Sequence, residues 1–201
     1  MRLCLKSYFL SVFFLICFAV SARADADRYY VPPQQFNAAF QIMDSGFSNI
    51  FGLFREATGG FLFDSSEKTM SRVKIAINAS SLMVANGDAG HDLALLIDPV
   101  GYSEISFAAA APATFKDGKA EITGTLTAHG VSKPFSFEAT LNNVGKSHNA
   151  GGFWESESQT IGLSLRGSLK RADFGMGDPP EEPGRFGDTI ALMLEMQALK
   201  Q

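Results

Sequence analysis

Apolar and polar side chains alternate along most of this sequence with a period of two residues, the spacing of a strand that buries one face and wets the other. Val73, Ile75 and Ile77 interleave with Arg72, Lys74 and Asn78. Ala120, Ile122, Gly124 and Leu126 interleave with Glu121, Thr123, Thr125 and Thr127, and Phe135, Phe137, Ala139 and Leu141 with Ser136, Glu138, Thr140 and Asn142. Ile161, Leu163 and Leu165 repeat the pattern, as do Ile190, Leu192, Leu194 and Met196. Further strands are predicted over residues 36–43, 50–55, 59–64 and 102–109. Asp117-Gly118 and His129-Gly130 supply hairpin turns between alternating runs. The period breaks between residues 86 and 99, where Asp88, Ala89, His91, Asp92, Leu93, Leu95 and Leu96 predict a short helix ended by Pro99. Residues 175–187, rich in Pro, Gly and acid, predict an exposed loop before the last strand.

Eight or nine antiparallel strands with one polar face each must hide the other face in a sandwich or a closed barrel. Closure is favoured because it removes unpaired edges. The composition adds 18 Phe and 19 Gly with a single Trp, Trp154. A barrel of about eight strands either fills its interior with side chains or holds one ligand. Small residues at inward positions, Ala38, Gly59, Ala109, Gly124 and Ala139, are expected to leave a lumen between the rings.

The N-terminus has its own character. Arg2 and Lys6 precede an apolar run over residues 8–20, and Ala22-Arg23-Ala24 places small residues where a signal peptidase reads. The run is shorter than the roughly 20 residues that span a bilayer, so residues 1–24 are expected to be a signal peptide and 25–201 one mature domain. Cys17 follows Ile16 rather than a small residue, which argues against a lipoprotein site. Both cysteines, Cys4 and Cys17, lie in the leader, so the expected mature chain has no thiol for catalysis or metal binding. That mature chain carries 14 basic and 21 acidic residues, a net charge of −7, with no basic stripe for nucleic acid.

The remaining chemistry is sparse. His91, His129 and His148 are the only histidines, and no H-x-H or H-E-x-x-H spacing gathers them around a metal. Asp173-Phe174-Gly175 copies the letters of a kinase magnesium motif without the other kinase elements, so Asp173 is expected to tie a strand end to a turn. No G-x-S-x-G elbow or phosphate-binding Gly pattern occurs. No catalytic residue, metal or cofactor is therefore expected, and the chain reads as a non-enzyme.

Four stretches together resemble the YceI-like family of lipocalin-like periplasmic barrels associated with polyisoprenoid binding. Residues 46–54 (GFSNIFGLF) followed by 60–64 (GFLFD) look like the family's early hairpin. Residues 102–107 (YSEISF) match its YPxIxF strand, with Ser103 in place of Pro. Residues 124–135 (GTLTAHGVSKPF) are similar to its GxLTxHGVTKPV hairpin, and 170–176 (KRADFGM) to its xRxDFGM strand end. Order and spacing agree from about Tyr29 to Lys200. The resemblance implies an all-β, extended eight-stranded antiparallel barrel with one short helix, enclosing a long apolar ligand such as a polyisoprenoid, quinone or fatty-acyl amide. It departs from the family at Phe51 and Leu53, where relatives often carry Arg, and in residues 86–98, which lack the usual basic groups and keep Asp88, His91 and Asp92.

Strand parity and the resemblance together give the expected lining of the tail channel: Phe36, Phe40, Val73, Ile75, Ile105, Phe107, Ile122, Leu126, Phe135, Phe137, Ile161, Leu163, Leu192 and Leu194. Asp88, His91 and Asp92 are expected at the mouth, by the head group, with residues 86–98 as its gate. Each buried CH₂ is worth about 0.8 kcal/mol. Ten of them, about 8 kcal/mol, offset the several kcal/mol that immobilise a ligand. The expected partner is a long-chain apolar small molecule, with transient membrane contact and a homodimer left open, in the periplasm. The competing readings are an accessory module that docks a membrane cytochrome or quinone partner and, behind it, a lipid-ester hydrolase.

Overall fold

The two-residue period becomes an antiparallel sheet that closes on itself. A computed structural model describes residues 26–84, 87–148, 157–178 and 183–201; residues 1–24, the expected signal peptide, lie outside them. In chain order the strand segments are β1 (Asp27–Val31), β2 (Phe36–Asp44), β3 (Ser48–Phe54), β4 (Ala57–Asp64), β5 (Thr69–Asn78) and β6 (Leu82–Val84). After the helix α1 (Gly87–Ile97) come β7 (Glu104–Ala109), β8 (Ala113–Thr114), β9 (Lys119–Ala128), β10 (Val131–His148), β11 (Glu157–Lys170) and β12 (Phe186–Lys200).

Twelve segments make eight walls because four walls are bent. Both β1 and β2 lie along β12, with Tyr29 opposite Lys200 and Ala38 opposite Leu194. Pro32 and Pro33 force the bend between them, since proline cannot donate to a ladder. In the same way β3 continues into β4, β5 into β6 and β7 into β8, each following its neighbour. The β1–β12 pairing closes an eight-stranded antiparallel barrel. Two of the bends are stitched together. The Ser81 carbonyl accepts from the Arg55 N–H at 3.2 Å, and Glu56 Oε2 accepts from Asn78 Nδ2 at 2.7 Å.

Three hairpins of type I′ turn the strands, at Ser45-Gly46, Asp117-Gly118 and His129-Gly130, each with two consecutive residues at positive φ. At Gly130 the need is doubled: φ is +70°, and a methyl group there would lie 2.5 Å from the Tyr102 ring. The turns at 45–46 and 129–130, residues 171–178 and 183–185, and α1 gather at one end of the barrel. The β4–β5 and β8–β9 turns and both ends of the described chain lie at the other.

That other end is filled. Tyr29 stacks on Phe61 at 5.6 Å between ring centres, Phe63 meets Tyr29 edge-on at 6.2 Å, and Phe115 meets Phe63 at 6.3 Å. Val31, Met70, Ile161 and Leu163 close around them, all buried. We refer to this aromatic plug as the floor.

The abundance of Phe beside Gly has a different cause from the expected lumen. Phe40 lies directly opposite Gly52, and a methyl group at 52 would overlap its ring. Phe135 sits opposite Gly124 and packs its ring tip over Gly167, where a methyl group would be 2.7 Å away. The space above Gly124 is taken by Phe107, 2.8 Å from such a methyl group, and above Gly59 by Phe36 at 3.4 Å. Glycine receives a ring on the neighbouring strand and draws it flat against the wall. Of the five small residues expected to open a lumen, only Ala38 borders one.

A buried arginine organises the turn after β11. Arg171 donates from Nη1 to the Met176 carbonyl at 2.9 Å and from Nη2 to the Phe186 carbonyl at 3.1 Å. It also donates from Nε to the Gly187 carbonyl at 3.2 Å and pairs with Asp178 at 2.5 Å. The tie expected of Asp173 is thus made by Arg171, while Asp173 is exposed. A guanidinium reaches three carbonyls at once, which a carboxylate, lacking donors, cannot.

Candidate functional site

Between the floor and α1 the barrel is hollow. The cavity is lined by β2 (Ala38, Ala39, Phe40), β3 (Phe54), β5 (Ile75, Ile77), β7 (Ile105, Ser106, Phe107), β9 (Leu126, Ala128) and β10 (Phe137). Leu169 of β11, Met176 of the following turn, and Ile190, Leu192 and Leu194 of β12 complete it, with Ile97 of α1 as its roof. Ser106 is the one polar residue among them. The space that a water molecule's centre can reach is about 60 Å³. The reachable space inside the walls is therefore narrow. A void whose lining is apolar but for one serine offers water too few partners to hold it.

α1 covers this end because its apolar residues recur at helical spacing. Leu93, Leu96 and Ile97 are buried while His91 and Leu95 face outward. A latch holds the helix. Arg185 donates from Nη1 to Asp92 Oδ2 at 2.5 Å and from Nε to Asp44 Oδ1 at 2.9 Å, so it joins α1 to β2. Its backbone carbonyl accepts from the Ser45 N–H at 2.7 Å, and its guanidinium lies 5.1 Å over the Phe186 ring. The same guanidinium holds the Asp44 carboxyl below its ordinary value of 3.8. A depressed carboxylate stabilises the fold at every pH above that ordinary value, and the contribution disappears only as the pH falls through the lowered one. Ligand retention is accordingly expected to be flat from neutral pH down to about pH 5. Arg185→Ala is expected to speed ligand exchange about fivefold, the equivalent of about 1 kcal/mol for a partly exposed ion pair. Displacement of a fluorescent fatty acid by stopped flow measures both.

Of the lining expected from sequence, Phe40, Ile75, Ile105, Phe107, Leu126, Phe137, Leu192 and Leu194 border the cavity. Phe36, Val73, Ile122, Ile161 and Leu163 point inward as expected but are packed solid around or just above the floor. Phe135 is half-buried, drawn over Gly167 between β10 and β11. Asp92 stands at the rim as a latch residue, His91 is exposed on the outer side of α1, and the side chain of Asp88 lies outside the described residues. Phe51 and Leu53 face outward, away from the bore. Ile77 and Phe54 share the parity of residues already singled out, and that signal was enough to find them. Leu169 continues the parity of Ile161, Leu163 and Leu165, and Ile97 the helical spacing of Leu93, whereas Met176, in the turn after β11, is marked by no local pattern.

Family motifs meet at this same end. Tyr102 packs on His129 at 4.2 Å between ring centres, and Gly130 and Gly175 fit against the same pair. Among the described residues no three His, Cys, Asp or Glu side chains converge to hold a metal ion.

The sequence model of the YceI-like domain matches residues 29–198. The chain belongs to the YceI-like family. A UPF0312 protein of Pseudomonas putida strain GB-1 is 29% identical to this YceI-like chain over 164 residues, covering 81% of it and 80% of the relative. Solved YceI-like barrels share the fold. BcnA of Burkholderia cenocepacia has a TM-score of 0.66 at 16% identity, covering 83% of this chain and 98% of its own. The polyisoprenoid binding domain from Saccharophagus degradans, implicated in plant cell wall breakdown, has a TM-score of 0.58 at 10% identity, covering 88% and 99%. In this YceI-like barrel the hollow half, its helical cap and the motif residues Tyr102, His129, Gly130 and Gly175 lie at one end, while the motif residues Phe61 and Phe63 build the floor at the other.

Proposed function

We propose that the protein is a secreted, non-enzymatic carrier that encloses the tail of a long apolar lipid, a polyisoprenoid, quinone or fatty-acyl amide, for sequestration or transport in the periplasm. The observation that carries this reading is the slim apolar cavity capped by α1. A hydrocarbon chain is the one common ligand that such a wall binds without any polar group to orient it. The tail enters beneath α1 and stops at the Tyr29–Phe63 floor, so a head group rests at the rim near Asp92, Arg185 and His129. The 29–198 family match and the polyisoprenoid-binding neighbour support the same ligand class. Residues 1–24, in this reading, direct secretion and are removed.

Gentle purification of the expressed protein, organic extraction and mass spectrometry test it. A single apolar lipid class is expected near one molecule per barrel, together with loss of the basal signal of an added fluorescent fatty acid. Recovery of no lipid, combined with no uptake of prenol, quinone or fatty amide added to stripped protein, sinks the reading.

A further inference from the structure

Barrel walls in water carry polar residues on their outer face, yet part of one wall here is largely apolar. Met193 of β12, Ala39 of β2, Leu53 of β3 and Met83 of β6 stand directly opposite one another across four strands on the outer parity of the wall, with Leu53 and Met83 exposed and Ala39 also touching the cavity from within the wall. Above them Phe51 is opposite Gln41, and no Asp, Glu, Lys or Arg interrupts either row. The band runs up to the helix-capped end, where single apolar side chains project from the tips. Phe47 in the β2–β3 turn is 92% exposed, Val100 after α1 is 96% exposed, and Leu95 faces outward from α1 itself. Among the described residues the turns at the floor differ: Ser65, Ser66, Glu67 and Lys68 make one tip, Lys116 and Asp117 another. Exposed apolar area of this kind marks an interaction surface.

We propose that the helix-capped end docks on the surface of an uncharged or zwitterionic lipid bilayer, with Phe47 and Val100 inserted at its tips and the methionine-edged band lying at the headgroup boundary. Charge supports this occupant. Neither row holds a cation to seek anionic lipid, Arg55 lying beyond Leu53 toward the middle of the barrel, and the chain as a whole is acidic. Arg185 beside the band is bound to Asp44 and Asp92, and Arg166 next to Met193 is paired with Glu195. Shape supports it too. A second copy would need matched hollows for two fully projecting side chains, whereas a fluid bilayer needs none. Methionine side chains adapt to such an irregular apolar surface. The inference rests on the lipid-carrier reading in one respect: it explains why the docking residues surround the cavity mouth, so that a tail moves between bilayer and barrel without crossing water.

The protein processed to residues 25–201, purified from the soluble fraction, is floated with phosphatidylcholine vesicles. Flotation is expected at low and at high salt alike, because no charge pairing is involved. Phe47→Ser with Val100→Ser is expected to lower the partition coefficient by about tenfold or more. Neither residue lines the cavity, so the double variant keeps its circular dichroism and, once stripped, still takes up prenol or fatty amide added directly to it, which separates a docking failure from a failure of the carrier reading. Three results overturn the proposal. The wild-type chain stays in solution; it floats only with anionic vesicles and is released by salt; or it runs as a dimer by light scattering that the double variant converts to monomer.

Discussion

Ala38→Phe is expected to empty the barrel of lipid. Ala38 lies on β2 between Phe54 and Leu194, is 1% exposed, and borders the middle of the cavity. A phenyl ring there occupies the bore, and with about 60 Å³ of reachable space no second path passes it. Lipid recovered per mole of protein is expected to fall by about tenfold or more, since several CH₂ groups lose their contact at about 0.8 kcal/mol each. Stability is expected to change by no more than about 1–3 kcal/mol, because the ring fills a void while straining its neighbours. Ala128→Leu, nearer the mouth, is the companion variant should Ala38→Phe fail to fold. Extraction and mass spectrometry beside urea unfolding read both quantities. Full lipid content in a folded blocked variant places the ligand elsewhere.

The second large effect is on the fold. Arg171→Ala leaves the carbonyls of Met176, Phe186 and Gly187 without their donor and Asp178 without its partner. Removing one member of a buried charged network costs about 3–5 kcal/mol. For a domain of this size that lowers Tm by roughly 10 °C. Arg171→Lys is expected to lose most of the same stability, because one ammonium cannot span three carbonyls and a carboxylate. Asp173→Ala, two residues away and exposed, is expected to stay within about 0.5 kcal/mol of the parent. Calorimetry of the three variants separates them, and a large loss at Asp173 with none at Arg171 reverses the assignment.

These two sites also show what the letters of the chain carry. Parity along a strand is local, so Phe40, Ile75, Phe107, Leu126 and Phe137 could be placed on the inner face before any coordinates. Parity does not say how far along the barrel a residue sits. Phe36, Ile161 and Leu163 have the right face and stand at the filled end, because the floor is built by Tyr29, Phe61, Phe63 and Phe115 from strands distant in sequence. The short segment β1, which supplies Tyr29, falls before the first run of alternation and carries only five residues. After Leu141 a bulge shifts the register of β10 on β11, so alternation stops reporting the face beyond it. Phe and Gly were both visible as abundant. Their pairing across strands, which decides the width of the bore, belongs to register and not to composition. Arg171 and Asp173 lay in one motif, and only the burial of the first tells which of them bears on the fold.

The seam between the first and last segments has a practical consequence. With Tyr29 beside Lys200, the two ends of the folded domain leave the barrel together, on the side opposite the mouth. A linker fused to Gln201 can therefore anchor the molecule to a bead or sensor surface with its opening turned to the solution. The same neighbourhood makes new termini easy to cut elsewhere: a short bridge across this seam, with the chain reopened in the Ser65–Lys68 turn, should yield a permuted barrel that still loads its cargo.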